Sequence, residues 1–450
     1  MTAFSIQPPR QVLSLLDRLE SAGFEAWVVG GCVRDSLLGK VPFDWDVTTS
    51  ARPEETAACL EGERLLQTGA AHGTVALIPQ EGRPIEITTF RADGTYTDSR
   101  HPDSVTFSRR LEDDLSRRDF TVNAMAYHPG RGLVDLFGGR RDLEAALLRC
   151  VGDPARRFSE DALRILRCLR FASQLEFSIE PATGTALVEA RGLLSVISQE
   201  RVREELTKLL CGPGAASVLR EYSQVVFAVL PELAPMKGCA QETPYHCFDV
   251  WEHTLHALDH APRQPDLRWA VLLHDGGKPG KKFYSPDGLA HFYGHPPESG
   301  RIAREILSRL RFSNREREWI AALVDHHEES MPMGERRVKR LLGQYGEKFL
   351  FTLFQLQEAD NFAKAPGIFQ QRLPLLEESR QTARQVLARG DCLTLRDMAV
   401  SGKDLKAMGI SPGPEMGKLL RRLFQAVEGG EVPNQREPLL ALACRLLDGK

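Results

Sequence analysis

Residues 28–49, VVGGCVRDSLLGKVPFDWDVTT, constrain the fold more than any other part of the chain. The pattern predicts a strand, a glycine turn, a short helix and a second strand. Gly30 and Gly31 let the backbone turn sharply and approach a ligand closely, because neither carries a Cβ atom. Free backbone N–H groups at a helix start favour a phosphate, and Arg34 adds a charged, forked donor. The segment is therefore predicted to bind a phosphate.

The predicted second strand carries Asp44 and Asp46, with Trp45 between them. Alternate residues of a strand face the same side, so the two carboxylates are expected to point one way. They would repel each other unless a cation lies between them, and Mg²⁺ bound to substrate phosphates is the usual case. If the two aspartates are considered without their neighbours, a surface strand with two solvated side chains would explain them. The glycine turn and the basic helix before it favour nucleotidyl transfer instead.

The segments GGCVRD and FDWDVTT resemble the head of the class II tRNA nucleotidyltransferases, the family of CCA-adding, A-adding and CC-adding enzymes and bacterial poly(A) polymerases. The resemblance implies an α+β head with a small mixed sheet, similar to DNA polymerase β, followed by all-α neck, body, HD and tail regions. It implies that Asp44 and Asp46 hold Mg²⁺. The family pattern implies that Glu86, in the predicted strand RPIEITTF, is a third acid of the active site. Considered alone, Glu86 would more simply be a cross-strand partner of an arginine.

A second motif, RRDFTVNA at residues 117–124, extends the resemblance. If the motif is helical, Asp119 and Asn123 share a face at i,i+4, with Arg118 beside them. The resemblance assigns Arg118 to the triphosphate, and Asp119 and Asn123 to the sugar of a ribonucleotide. A cluster of ion pairs and hydrogen bonds within one helix is the alternative.

A third motif lies in SEDALRILRCLRFA, where Asp161, Arg164, Arg167 and Arg170 are predicted to share one helical stripe. A carboxylate accepts from the exocyclic amine of cytosine or adenine, and an arginine donates to the neighbouring ring acceptor. Uracil and guanine would place a keto oxygen against the carboxylate, and an unpaired buried polar group costs about 1–3 kcal/mol. Asp161 and Arg164 could thus select C and A without a template. A charged helix face is the simpler alternative.

This arrangement matches the family's EDxxRxxR motif, whose residues read the incoming base. The resemblance implies that the nucleotide is held by Gly31, Arg34, Arg118, Arg167 and Arg170. Between the motifs, residues 91–105 (RADGTYTDSRHPDSV) are polar and too long for a tight hairpin. They resemble the flexible loop of CCA-adding and A-adding enzymes, which CC-adding enzymes lack, and so favour addition of the terminal adenosine. A surface excursion is the alternative.

From about Met236 the chain changes character, and histidines and aspartates occur in predicted helices, in VWEHTLHAL, HDGGKP, LVDHHEE and ADNFAK. Imidazole and carboxylate groups brought together by folding would bind a divalent transition metal. HDGGKP and ADNFAK, in this order, resemble an HD domain, a metal-dependent phosphohydrolase module. An all-α fold whose metal site no longer turns over is the alternative.

The HD resemblance implies one metal, bound by His253, His274, Asp275 and Asp360. His295 and His327 could complete or extend the site. Because His326 is adjacent to His327, the sequence leaves open which of those two histidines belongs to it.

Composition limits the partners and the compartment. The net charge of −3 means that a nucleic acid must be met by local basic surface. The nine cysteines are scattered without a C-x-x-C pair, which argues against a disulfide framework and a zinc ribbon. No apolar run is long enough for a membrane, and the first residues lack a signal-peptide core. A cytoplasmic protein without a membrane partner is expected.

The leading hypothesis is a CCA tRNA nucleotidyltransferase that adds CMP and AMP from CTP and ATP to the 3′ end of the tRNA acceptor arm. The predicted domains are a catalytic head (1–145), a helical neck and body (146–235), an HD domain (236–370) and a helical tail (371–450). An A-adding enzyme or a poly(A) polymerase is the nearest alternative. An HD phosphohydrolase with a tRNA-binding head is an alternative of another class. The oligomeric state is left open.

Overall fold

The computed structural model describes residues 6–70, 73–93 and 105–448. The chain divides into two units, Met1–Pro231 and Glu232–Lys450. The strands of the first unit are β1 (Ala26–Val29), β2 (Asp46–Thr49), β3 (Leu65–Leu66), β4 (Thr74–Leu77), β5 (Ile85–Thr89), β6 (Arg91–Asp93), β7 (Val105–Phe107), β8 (Met125–His128), β9 (Gly132–Asp135), β10 (Leu147–Leu148) and β11 (Ser178–Ile179).

A seven-stranded mixed sheet organises the first unit, in the order β3-β4-β5-β2-β1-β8-β9. β2 and β5 run parallel, with Asp46 opposite Glu86, and the other neighbouring strands are antiparallel. The predicted strand–turn–helix–strand segment supplies β1 and β2 at the centre of this sheet. Trp27, Phe90 and Leu115 belong to a buried cluster that packs against it.

The helices of the first unit are α1 (Arg10–Ser21), α2 (Gly31–Leu37), α3 (Pro53–Cys59), α4 (Leu111–Ser116), α5 (Gly139–Glu144), α6 (Pro154–Glu160), α7 (Leu163–Leu175), α8 (Pro181–Glu189), α9 (Gln199–Leu210), α10 (Ala215–Glu221) and α11 (Ser223–Val229). Helix α7 packs against α9 and buries most of its residues. Arg164 and Arg170 of α7 are therefore buried inside the unit, whereas Arg167 is partly exposed.

The second unit is almost entirely helical. Its helices are α12 (Val250–His260), α13 (Pro265–Leu273), α14 (Lys278–Lys281), α15 (His295–Arg309), α16 (Asn314–Asp325), α17 (Glu335–Tyr345), α18 (Glu347–Phe362), α19 (Ile368–Arg389), α20 (Gly402–Ala407), α21 (Pro414–Glu428) and α22 (Arg436–Asp448). A short hairpin joins β12 (Phe283–Tyr284) to β13 (Ala290–His291). Helices α12 and α13 both pack against α18.

The predicted α+β head followed by helical regions is confirmed. The finer division into four domains stays a prediction within the two units. Among the described residues, no helix combines the length and the apolar character needed to cross a membrane.

Candidate functional site

The glycine turn after β1 brings the backbone against an arginine. Gly30 has φ +81° and ψ −131°, a conformation that is strained for any residue with a side chain. A Cβ atom at this position would lie 3.0 Å from Nη1 of Arg118. The turn therefore brings the guanidinium of Arg118 beside Gly30, next to α2, which carries Gly31 and Arg34. The close approach of this turn to a ligand stays a prediction.

The three predicted acids lie together, although not all on strands. β2 begins at Asp46, whereas Asp44 is exposed in the bend before it, so the placement of Asp44 on the second strand is wrong. The reason is that β1 ends at Val29 and the chain turns away at Gly30, leaving residue 44 without a partner strand. Glu86 lies on β5 in register with Asp46, which confirms its predicted neighbouring strand.

The negative charges of Asp44 and Glu86 act on Asp46. Burial, followed by the negative charges of Asp44 and Glu86, raises the pKa of Asp46 to about 6, while the charge of Arg118 lowers it. Like charges crowded in this way favour a bound cation. An all-oxygen donor set suits a hard divalent ion such as Mg²⁺. The residues present therefore fit the metal that the sequence implies.

The motif RRDFTVNA is not one α-helix, so the condition for a shared helical face of Asp119 and Asn123 is not met. Only Thr121–Asn123 form a helical turn, of the 3₁₀ type. The backbone N–H of Thr121 donates to the carbonyl of Arg149, and Phe120 bridges to Cys150. This pairing with a later segment competes with helix formation.

The side chains of the second motif nevertheless form a buried chain of contacts. Arg34 Nη1 donates to Oδ1 of Asn123 at 2.6 Å, and Asn123 Nδ2 donates to Oδ1 of Asp119 at 3.1 Å. Arg167 donates to Oδ2 of Asp119 at 2.5 and 2.8 Å. Burial alone would raise the pKa of Asp119, but the charge of Arg167 and the hydrogen bond from Asn123 lower it to about 2. The carboxylate is therefore ionised at neutral pH.

Asp161 lies between two helices rather than on a helical stripe, which corrects the predicted placement. α6 ends at Glu160, and Asp161 has extended backbone angles, φ −140° and ψ 102°. Its Oδ1 accepts from the backbone N–H of Leu163 at 3.0 Å, which explains the break before α7. Arg201 Nη2 lies 3.8 Å from its Oδ2.

Arg164 is buried and held by groups that the sequence analysis missed. Its Nη1 donates to Oε2 of Glu160 at 2.9 Å, and its Nη2 donates to the carbonyl of Arg117 at 3.0 Å. The i,i+4 spacing of Glu160 and Arg164 was the available signal. Arg170, the last arginine of the third motif, is also buried and donates to Glu205 of α9 at 3.1 Å. This ion pair links α7 to α9.

The predicted loop at residues 91–105 lies mainly outside the described residues, which resume at 105 after 93. β6 and β7, at its two ends, pair antiparallel.

In the second unit, the expected HD residues converge on two carboxylates. Nε2 of His253 lies 3.0 Å from Oδ1 of Asp360 and 3.6 Å from Oδ2 of Asp275. Nε2 of His274 lies 3.2 Å from Oδ2 of Asp275. Two groups of side chains could each hold an ion: His253, His274 and Asp275, and Asp275, His295 and His327.

The second group answers the question that the sequence left open. Nε2 of His295 lies 3.2 Å from Oδ1 of Asp275 and 3.2 Å from Nε2 of His327. His326 instead bonds Glu329 at 2.9 Å. His327, and not His326, therefore lies beside Asp275, which is shared by both groups.

All four imidazoles in these groups are oriented in the same way. Their Nδ1 atoms lie 2.7 to 3.2 Å from backbone carbonyls, those of Ala363, Val271, Phe292 and Val324 for His253, His274, His295 and His327 respectively. An Nδ1–H that donates to a carbonyl leaves Nε2 available for a metal. Within the described residues, Nε2 of His274 and Oδ1 of Asp275 are buried without a well-aligned hydrogen bond, although each lies 3.2 Å from another group of the centre. The donor set therefore fits a divalent transition metal.

Two lysines that the sequence analysis missed contact the carboxylates of this centre. Lys278 Nζ donates to Oδ2 of Asp275 at 2.7 Å and to Gln241 Oε1 at 2.9 Å. Lys364 Nζ donates to Oδ2 of Asp360 at 2.7 Å. Both lysines stand in quoted motifs, HDGGKP and ADNFAK. Burial would raise the pKa of Asp275, but the charges of His274 and Lys278 hold it well below its usual range.

Three family models match the chain: "Poly A polymerase head domain" over residues 26–149, "Probable RNA and SrmB- binding site of polymerase A" over residues 176–236, and "tRNA nucleotidyltransferase domain 2" over residues 295–443. The first matches the sheet-bearing part of the first unit. The last matches helices of the second unit.

Similar proteins cover nearly the whole chain. The CCA-adding enzyme of Lacticaseibacillus paracasei is 34% identical over 97% of this chain and 96% of its own. That of Geobacillus stearothermophilus is 34% identical over 97% of both chains. The crystal structure of the Bacillus stearothermophilus CCA-adding enzyme in complex with CTP matches with a TM-score of 0.75 and 30% identity over 98% of each chain. A Thermotoga maritima CCA-adding enzyme complexed with tRNA shares the fold, with a TM-score of 0.57 and 22% identity over 98% of this chain and 96% of that chain. Identity and coverage of this extent show that the chain belongs to the family of CCA-adding enzymes.

Proposed function

We propose that this protein is a CCA tRNA nucleotidyltransferase, which adds CMP and AMP to the 3′ end of tRNA from CTP and ATP. Membership of the family supports the reaction, and one structural observation supports the location of its active site. Asp46 stands opposite Glu86 on paired strands, and burial, followed by the negative charges of Asp44 and Glu86, raises its pKa to about 6. The cytoplasm is its expected place.

In this proposal the tRNA 3′-hydroxyl loses its proton to water as its oxygen bonds to the α-phosphorus. The bond from that phosphorus to the bridging oxygen breaks, and pyrophosphate leaves. Mg²⁺, when bound by Asp44 and Asp46 with Glu86 beside them, supplies positive charge to the reacting phosphate oxygens. Arg118 and Arg34, beside the glycine turn, hold the triphosphate. Asp119 and Asn123 position the sugar, with Arg167 keeping Asp119 ionised.

Completion of tRNA transcripts tests the reaction. Three transcripts, ending before CCA, after C and after CC, are incubated with Mg²⁺ and CTP, ATP or both. We expect all three ends to be completed. Extension of the CC-ended transcript alone would make the protein an A-adding enzyme, and a long adenosine tail would indicate a poly(A) polymerase. No incorporation on any end would overturn the proposal.

The resemblance of residues 91–105 to the family's flexible loop supports adenosine addition.

Base selection is assigned to Asp161 and Arg164. The guanidinium of Arg164 is held in place by Glu160. Replacing Asp161 by alanine removes the acceptor for the exocyclic amine of C and A, and it also removes the carboxylate that would face the keto oxygen of U and G. A mispaired buried polar group costs about 1–3 kcal/mol, so the preference for CTP and ATP over UTP and GTP should fall by about 10- to 100-fold. Single-nucleotide incorporation measures this preference. Glu189→Ala, at an exposed position of α8, is the control and should keep the preference; an unchanged preference in Asp161→Ala would contradict the assignment.

The glycine turn gives a second test. Gly30→Ala should lower the free energy of unfolding by about 1–3 kcal/mol, because alanine is strained at φ +81°. It should also raise the KM for ATP and CTP, because the new Cβ lies 3.0 Å from Arg118 Nη1. Gly62→Ala is the matched control, since Gly62 has φ +88° but no atom within 4 Å of its Cβ position. It should share the loss of stability and keep the KM. Equal KM values for both variants would contradict the role of Arg118.

A second candidate function is metal-dependent phosphohydrolysis in the second unit, as the HD resemblance implies. The observation that favours it is the convergence of four imidazole Nε2 atoms on Asp275, each within 3.6 Å of its carboxylate, while their Nδ1 atoms are engaged by backbone carbonyls. His253, His274, Asp275 and Asp360 would hold one ion, and His295 and His327 would extend the centre through Asp275.

A further inference from the structure

A buried carboxylate outside the assigned site residues lies beneath the active-site strand. Asp114, on α4, has no exposed surface, and both of its oxygens are engaged. Oδ2 accepts from Thr48 Oγ1 and from Arg118 Nη2, each at 3.1 Å. Oδ1 accepts from Arg117 Nη2 at 2.6 Å and Arg117 Nε at 3.0 Å. A charged group with this many short contacts in a buried place holds its partners in fixed positions.

The first connection runs from the metal strand to the phosphate site. Thr48 follows Asp46 at the alternate position of β2, on the same side of the strand. Arg118, bound to the same oxygen of Asp114 as Thr48, presents its other terminal nitrogen beside Gly30. Asp114 therefore sets the guanidinium of Arg118 relative to the carboxylate of Asp46.

The second connection runs to the base-selecting arginine. Arg117 is held through its side chain by Asp114, and its backbone carbonyl accepts from Arg164 Nη2 at 3.0 Å. The turn formed by Arg117 and Arg118 thus carries two functional groups. The guanidinium of Arg118 is assigned to the triphosphate, and the carbonyl of Arg117 orients Arg164. Movement of this turn would disturb both.

We propose that Asp114 is a positioning residue for nucleotide addition, which holds the Arg117–Arg118 turn so that Arg118 and Arg164 keep fixed positions relative to the carboxylate of Asp46 on β2. This role rests on the proposed function and adds to it a link between triphosphate binding and base choice. It acts through Arg117 and Arg118, since Asp114 itself is buried beneath them.

The test compares two buried aspartates of the first unit. Asp142 is 2% exposed and accepts from Thr121 Oγ1 at 2.8 Å and from Arg149 Nε at 3.1 Å, so it shares with Asp114 deep burial, a threonine partner and an arginine partner. Asp114→Asn and Asp142→Asn are expected to lose similar stability in denaturant unfolding. Only Asp114→Asn should raise the KM for CTP and ATP, by about 10-fold or more, with a smaller change in kcat. It should also raise the incorporation of UMP relative to CMP several-fold.

Equal KM and equal selectivity in the two folded variants would overturn the role and leave Asp114 as a structural carboxylate. If Asp114→Asn does not fold, the variants Thr48→Val and Thr48→Ser test the role of Asp114 instead. Valine removes the hydroxyl that contacts Asp114, and serine keeps it. The valine variant should raise the KM and the serine variant should restore it; identical values overturn the proposal. Failure of the proposed function is a separate result, since the unaltered protein and Asp142→Asn would then extend none of the three transcripts.

Discussion

Replacing Asp44 and Asp46 together by asparagine is expected to lower CMP and AMP addition to tRNA by more than about 10³-fold. Loss of a single hydrogen-bond donor to a developing charge already costs about 10²–10³ in kcat, and this variant removes two anionic oxygen ligands for Mg²⁺ at once. Single-turnover extension of the three tRNA ends at saturating Mg²⁺ measures the loss. Asparagine keeps the size of the side chain, so the effect reports on charge.

Stability separates loss of the site from loss of the fold. Burial and the neighbouring acids raise the pKa of Asp46 to about 6, so its negative charge costs free energy in the folded, metal-free protein at neutral pH. The double variant should therefore unfold at a denaturant concentration no lower than that of the unaltered protein. Asp17→Asn, at an exposed position of α1, is the control and should keep both rate and stability. Retained nucleotide addition in the double variant would remove these acids from the mechanism.

Asp275→Asn is expected to abolish metal binding in the second unit, because Asp275 belongs to both groups of candidate ligands. It should also lower the free energy of unfolding by about 3–5 kcal/mol, the usual cost when one partner of a buried ion pair is removed. The remaining partner is Lys278, which is 4% exposed. Metal analysis after dialysis against Mn²⁺ or Ni²⁺, hydrolysis of p-nitrophenyl phosphate and denaturant unfolding give the three readouts.

The variant Asp275→Asn/Lys278→Met distinguishes the two causes. Removing both partners relieves the uncompensated buried charge, so stability should largely return while metal binding stays lost. Addition to tRNA should continue in both variants, since the acids assigned to it lie in the first unit. Full metal content in Asp275→Asn would contradict the proposed centre. Metal binding without hydrolysis in the unaltered protein would instead indicate a site that no longer turns over.

The helical and strand periodicities were readable without the structure. The sequence predicted β1, the glycine turn and β2 with the correct order, and it placed Glu86 on a neighbouring strand. Short-range chemistry is encoded locally: glycine permits the turn at Gly30, and alternation of apolar residues marks β5. Local reasoning left the conformation open where a distant segment competes for the backbone, as at Phe120, whose bridge to Cys150 takes the place of a helix.

The sequence by itself determined the class of chemistry and most of the residue types that carry it, because the motifs contain the acids, arginines and histidines at readable spacings. Only the tertiary structure decided the partners: Asp114 with Arg118, Glu160 as the acid holding Arg164, His327 rather than His326 beside Asp275, and Lys278 and Lys364 on the two buried carboxylates. Spacing fixes which side chains share an element, whereas contacts between elements depend on how the whole core packs and on which buried charges must be paired.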